Sequence, residues 1–264
     1  MWCAHISSER LGQDTVEKDS VDQRAWRETR KLGSLLGVEE DVNRRIQLAY
    51  ASFIRLNAMW KHPSLVSIPV RLEAYKSIVE SVLLYNCGTW ALTEAQAEKL
   101  DAFQRKLLRR ILGIKWFDKV TNAHVYERSG MTRISEQVIS ARWRLFGHAL
   151  RMNEDTPARK AMAYYFCADL PGRKGNRVTI ASAISNEYKA SFGTPINTLD
   201  AYSRLVEDAR DRDLWRERVD KILNDQRAIY ESKVQRKAER RKEAKRKREA
   251  DTLERATSGR RRRV

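Results

Sequence analysis

The sequence predicts a mainly α-helical protein: a helical bundle, a further C-terminal helical region, and a charged tail that is helical or disordered. Three observations carry this. Only five prolines and eleven glycines occur in 264 residues, and long stretches lack both. Apolar residues make up 42% of the chain, enough for a real core, and recur at steps of three and four. Recognisable helix starts and stops bracket those runs.

Residues 1–30 are polar with weak periodicity, and are expected to be poorly ordered or a loose helix. Lys31 to Leu36 (KLGSLL) fits a short strand or turn. A helix should open at Val38, because Glu39, Glu40 and Asp41 place negative charge where the helix dipole is positive. Val42, Ile46, Ala49, Phe53 and Leu56 supply its apolar face, and His62-Pro63-Ser64 breaks it. Pro69 suits the first turn of the next helix, with Leu72, Tyr75, Val79, Val82 and Leu83 on one side.

Asn86-Cys87-Gly88 stops that helix, since Asn and Gly tolerate left-handed backbone. After a crossing segment ending in Trp90-Ala91-Leu92, Thr93 and Gln96 have capping-box spacing. The helix they open runs to Leu112 and stops at Gly113. Leu100, Phe103, Leu107, Leu108 and Ile111 span an arc of about 140° on it, with Arg105, Lys106, Arg109 and Arg110 opposite. Ile134 to Met152 forms another helix, with Ile134, Val138, Ala141, Leu145 and His148 as its stripe. Arg142, Arg144 and Arg151 flank that stripe. Trp143 and Phe146 lie off it, either wrapped by neighbours or shown to a partner.

Pro171 to Arg177 (PGRKGNR) is a Gly-interrupted basic loop and the expected boundary. Helices resume over 181–190, 199–210 and 214–230. The expected organisation is therefore 1–30 poorly ordered, 31–170 a helical domain, 171–180 a linker, 181–230 a C-terminal helical region and 231–264 a basic tail.

Lys and Arg outnumber Asp and Glu by 52 to 35, a net charge of +17. Fifteen basic and six acidic residues after Tyr230 give the tail +9, leaving +8 on the body. A basic body points to a polyanionic partner, nucleic acid before a membrane surface. No apolar run approaches the ~20 residues of a membrane span, and MWCAHISSERLGQD does not read as a signal peptide. Cys3, Cys87 and Cys167 have no CxxC spacing, which fits a reduced, intracellular protein.

Catalytic chemistry finds no foothold in the motifs. Cys87 has no base near it in sequence and reads as a core residue. His5, His62, His124 and His148 are scattered without metal-ligand spacing, and His148 reads as packed and hydrogen-bonded. Glu207, Asp208, Asp211 and Asp213 interleave with Arg and read as a solvated or salt-bridged face. There is no Asp-Asp pair, phosphate loop or nucleophile elbow. What remains is nucleic-acid binding, with Lys and Arg for phosphates and Trp116, Tyr126, Trp143 and Phe146 for unpaired bases.

Four ordered blocks carry a family resemblance. SVLLYNCGTWALTEAQAEKLDAFQRKLLRRILGI resembles the segment after the polymerase core in reverse transcriptases of non-LTR retrotransposons. WFDKVTNAHVYERSGMTRISEQVISARWRLFGHALRM, PGRKGNR and DARDRDLWRERV resemble the family's next blocks in order, and KLGSLL its strand closing the palm. Asn86 stands where the family usually has Gly, Gly88 where it has an acid, and Trp143 and Leu145 look exchanged. The family's Ala-Asp-Asp catalytic motif precedes the strand, whereas here only thirty unrelated residues do.

The resemblance implies a truncated copy, the thumb and post-polymerase region without palm or endonuclease. It would hold RNA, DNA or primer–template without polymerising, and would use no cofactor, since magnesium belongs to the parent enzyme. No membrane and no small-molecule substrate is expected. The residues expected to meet nucleic acid are Arg105, Lys106, Arg109, Arg110, Lys115, Arg142, Arg144, Arg151, Arg173, Lys174 and Arg177. Lys245, Arg246, Lys247 and Arg248 with Arg260, Arg261, Arg262 and Arg263 are expected to direct the chain to the nucleus. The alternatives are a host nuclear basic adaptor that binds protein, and a retrotransposon relic without function.

Overall fold

A computed structural model describes residues 29–31, 33–61, 66–167, 178–196 and 198–261. The segment before Thr29, the His62-Pro63-Ser64 break and the PGRKGNR loop with Arg173, Lys174 and Arg177 lie outside the described residues. The chain is mainly α-helical, as its periodicity predicts, and divides into two compact units. The first comprises 1–149 and 169–184, the second 150–168 and 185–264.

The first unit begins with a two-stranded antiparallel hairpin, β1 (Arg30–Lys31) and β2 (Ser34–Leu35), turning through Gly33 at φ 83°. Helix α1 (Val38–Arg55) starts where its acidic turn predicts. Asp41, however, does more than complement the dipole. It is buried, accepts Leu35 N–H at 2.9 Å on Oδ1 and Trp90 Nε1–H at 2.9 Å on Oδ2, and lies 3.8 Å from Arg45. Arg45 donates in turn to Gly33 O at 2.8 Å and Ser34 Oγ at 3.0 Å. One ion pair thus ties hairpin, α1 and the crossing segment together.

After the short α2 (Asn57–Lys61), a helical rod runs as α3 (Ile68–Ala74), a π-helical turn (Tyr75–Glu80) and α4 (Ser81–Leu83). The wider turn was not legible in the sequence. It places Glu80 inside with Tyr75, Val79 and Leu83. Burial raises the Glu80 carboxyl above its ordinary 4.5, against hydrogen bonds from Gln137 and Gln104 and the charge of Lys76, all of which lower it. A carboxyl whose folded pKa is raised contributes stability at low pH that is lost as pH climbs through and above the ordinary glutamate range. Glu80→Gln, which keeps an acceptor without a charge, should therefore raise the denaturation midpoint at neutral pH. That gain should vanish below pH 4.5.

Asn86 ends the rod in left-handed backbone (φ 59°), as predicted. A 3₁₀ turn (Cys87–Thr89) follows, packed so closely on the helix over Ile134–Leu150 that a Cβ on Gly88 would sit 3.0 Å from Ala141 O. The predicted capping box opens α5 (Glu94–Ile111): Gln96 N–H donates to Thr93 Oγ1 and Thr93 N–H to Gln96 Oε1. Then come a 3₁₀ turn (Trp116–Asp118), α6 (Asn122–Ser129) and α7 (Ile134–Leu150). The core joins Val42, Ala49 and Phe53 of α1 to Tyr75, Val79, Leu83 and Trp90, and to Leu100, Leu107, Leu108 and Ile111 of α5.

The start of α7 is capped from another helix. Asp101 accepts Ser135 N–H at 2.9 Å and Ser135 Oγ–H at 2.8 Å. Gln104 Oε1 accepts Ile134 N–H at 3.2 Å, and Gln104 Nε2 donates to Thr132 O at 2.9 Å. The four orphan amides of a helix start need such partners, and α5 supplies them for Ile134 and Ser135 across about thirty residues of chain.

The stripe predicted for α7 needs correction. Ile134 and Val138 are buried as expected, but Leu145 and His148 are exposed while Trp143, Phe146, Ala149 and Leu150 are buried. The inward face is turned by about 90° from the predicted one. Two aromatic rings remove far more apolar area from water than one leucine, and they pack edge to face at 5.7 Å.

In the second unit, α8 (Pro157–Cys167) packs on α10 (Leu199–Arg210), with Phe166 against Tyr202 at 6.0 Å. Helix α8, which falls within the 31–170 segment of the sequence, belongs to the second unit. Helix α9 (Ile180–Phe192) is divided between the units at Ile184. Helix α11 (Arg212–Arg261) has 50 residues, about 75 Å of continuous helix. Trp215, Val219 and Ile222 bury its first turns, whereas residues 233–249 are exposed on every side. The tail is thus helical in its described part, with Arg262 and Arg263 outside it. Among the described residues no helix is long and apolar enough to cross a membrane.

Candidate nucleic-acid interface

The basic side of α5 meets α1 and the start of α2 in a regular seam. Lys99 Nζ donates to Asn43 Oδ1 at 2.6 Å, Lys106 Nζ stands 5.9 Å from the Tyr50 ring centre, and Arg110 Nη2 donates to Asn57 Oδ1 at 2.7 Å. Asn43, Tyr50 and Asn57 are spaced by seven residues, so they share one edge. The three cations are exposed, and their partners are neutral. Among the described residues none of the three forms an ion pair with a carboxylate. Positive charge therefore accumulates over about 16 Å of helix, beside the half-exposed Tyr50 and Ile54.

Beyond Ile111, Gly113 turns the chain at φ 71° into Ile114-Lys115-Trp116-Phe117-Asp118-Lys119-Val120. Arg109 closes the far end of this loop, donating to Val120 O at 3.3 Å and Asn122 Oδ1 at 2.8 Å. Lys115 is exposed, its Nζ 5.6 Å from the Phe117 ring centre. Arg144 is also exposed and bonds Ser140 Oγ at 2.9 Å.

Four sequence-derived site residues are placed otherwise. Arg105 is buried and paired with Glu98 at 2.6 Å, because α6 and α7 pack on that flank and widen the buried arc of α5 to Asp101, Gln104 and Arg105. Arg142 is buried within the turned inward face of α7. Arg109 is half-buried in the loop clamp just described. Arg151 belongs to the second unit, where it donates to Ala209 O at 3.1 Å at the end of α10. Burial and nearby Arg212 lower its pKa. Of the candidate stacking aromatics, Trp143 and Phe146 are in the core and Tyr126 is half-buried, its hydroxyl 3.5 Å from Asp101 O. Trp116 alone stands in solvent, 90% exposed.

Lys99, Lys119 and Phe117 are additions that sequence reasoning missed. The seven-residue step from Lys99 to Lys106, and the charged-aromatic excursion between apolar Ile114 and Val120, were signals available for them. Lys245 to Arg248 lie on the exposed part of α11, where Lys245 pairs with Glu249 at 3.6 Å. Arg260 and Arg261 are on the same helix.

Cys87 is buried, as the sequence predicts. Burial pushes its thiol up to about 11, and a hydrogen bond from its own backbone together with the charges of Arg144 and Arg142 offsets this only in part. Such a thiol is not a nucleophile at neutral pH. Of the four acids singled out at the α10–α11 junction, Asp208 pairs with Arg218, Glu207 with Arg210 and Asp213 with Arg216, whereas Asp211 Oδ1 accepts Asp213 N–H at 2.8 Å and Leu214 N–H at 3.1 Å. His148 is exposed rather than packed. Among the described residues no cluster of three or more His, Cys, Asp or Glu is arranged to hold a metal ion. No protein-family model, curated protein or solved structure matches the chain significantly.

Proposed function

We propose that this chain is a nucleic-acid-binding piece of non-LTR retrotransposon reverse-transcriptase descent, which holds RNA or DNA on basic helix faces and does not polymerise. The descent rests on the four sequence blocks. The binding rests on the α1–α5 seam, where Lys99, Lys106 and Arg110 have neutral partners that leave their charge available to phosphates. Helix α11 adds sequence-independent affinity and the nuclear address, at Lys245 to Arg248.

The test is a salt series of the full chain on structured RNA and on primer–template. Lys106→Gln with Arg110→Gln should weaken binding to both and lower the slope of log affinity against log salt by about two. An unchanged slope removes the seam from the interface, and absent binding favours a protein-binding adaptor. Primer extension with magnesium or manganese should give no product; robust incorporation overturns the second half of the proposal.

A further inference from the structure

The loop after α5 is built to hold a bare aromatic pair in solvent. Both its ends are anchored, since Ile114 and Val120 pack against the core and Arg109 clamps Val120 O. Asp118 is occupied inside the loop, its Oδ2 accepting Lys115 N–H at 2.7 Å. Lys119 then reverses the chain at φ 50°. Between these anchors Trp116 and Phe117 stand edge to face, 6.0 Å apart at 76°. Every other described tryptophan (Trp60, Trp90, Trp143 and Trp215) is buried.

An indole this exposed forfeits the burial that its size normally secures. The charge around it defines what fits. Lys115 covers one face of Phe117, Lys119 closes the turn, and the only acid of the loop is spent on its own backbone. An apolar ring face between two cations suits a flat, electron-rich group attached to an anionic chain.

We infer that Trp116, walled by Phe117, is a stacking platform for an unpaired base, with Lys115 and Lys119 taking the adjacent phosphates, so that the chain prefers single-stranded nucleic acid or a single-stranded junction. This rests on the nucleic-acid reading above and adds which form is held, and where. A duplex offers no free base face except at its ends, whereas a single strand offers one at every nucleotide.

The experiment compares the full chain with Trp116→Ala and Trp116→Phe on a single strand of about 12 nucleotides and on the same sequence as duplex. Because Trp116 is exposed, Trp116→Ala should leave the fold intact, checked by an unchanged thermal midpoint. Single-strand affinity should fall by roughly tenfold or more, with duplex affinity nearly unchanged and the salt slope kept. Trp116→Phe should restore most of the loss. Single-strand quenching of tryptophan emission should disappear in Trp116→Ala. Equal losses on both substrates, or no loss on either, overturn the platform while leaving the basic seam standing. Wild-type chain that binds neither substrate overturns the nucleic-acid reading itself. Retention of wild type but not of Trp116→Ala on immobilised polyglutamate would reassign the loop to an acidic protein partner.

Discussion

Asp41→Ala is expected to destabilise the first unit by about 3–5 kcal/mol, the usual range for breaking a buried ion pair from one side. The carboxylate is 1% exposed and spends both oxygens, one on Leu35 N–H and one on Trp90 Nε1–H. Its removal leaves those two donors buried without an acceptor. It also leaves Arg45, buried beside it and cross-linked to Gly33 and Ser34, without its counter-charge. Each loss alone costs about 1–3 kcal/mol. The expected readout is a fall in thermal midpoint of roughly 10 °C. Glu39→Ala makes the contrast, since Glu39 is exposed in the same turn and should cost well under 1 kcal/mol. A small loss at Asp41 would mean that the hairpin is not held by this ion pair.

The second large effect separates two neighbouring positions of α7. Trp143→Ala should cost about 3–5 kcal/mol, because Trp143 is fully buried and packed against Phe146, and the cavity it leaves cannot be refilled by one methyl. Leu145→Ala, two residues on, should cost below about 1 kcal/mol, as Leu145 is 38% exposed. Equal costs, or the reverse order, would restore the inward face that hydropathy alone predicts. Denaturant midpoints of the two variants decide between them.

These positions also mark where sequence reading succeeds. Thr93 and Gln96 cap each other three residues apart, Asn86 reverses its own backbone, and Glu39 to Asp41 open α1. Each is settled within one turn of chain, so residue type and spacing suffice. The apolar face of α5 was legible for the same reason, as Leu100, Leu107, Leu108 and Ile111 are in the core. Four of the eight described residues expected to meet nucleic acid, Lys106, Arg110, Lys115 and Arg144, are exposed.

The rest depends on neighbours that a single helix does not encode. Arg105 went inside because α6 and α7 cover its flank, and Arg142 because the aromatics of α7 turned that helix. The cap that α5 provides for α7 joins Asp101 and Gln104 to residues about thirty positions later.

By itself, then, the sequence determined a helical protein with these starts and stops, a basic charge and a buried thiol at Cys87. Periodicity, capping and composition act locally or are summed over the chain, and need no knowledge of what packs where. Only the tertiary structure decided which cations stay in water, which carboxylate became a clamp, and that Trp116 is the aromatic left bare. A side chain's exposure is set by the second helix laid against it, and that choice follows from the burial of whole faces rather than from the residue itself.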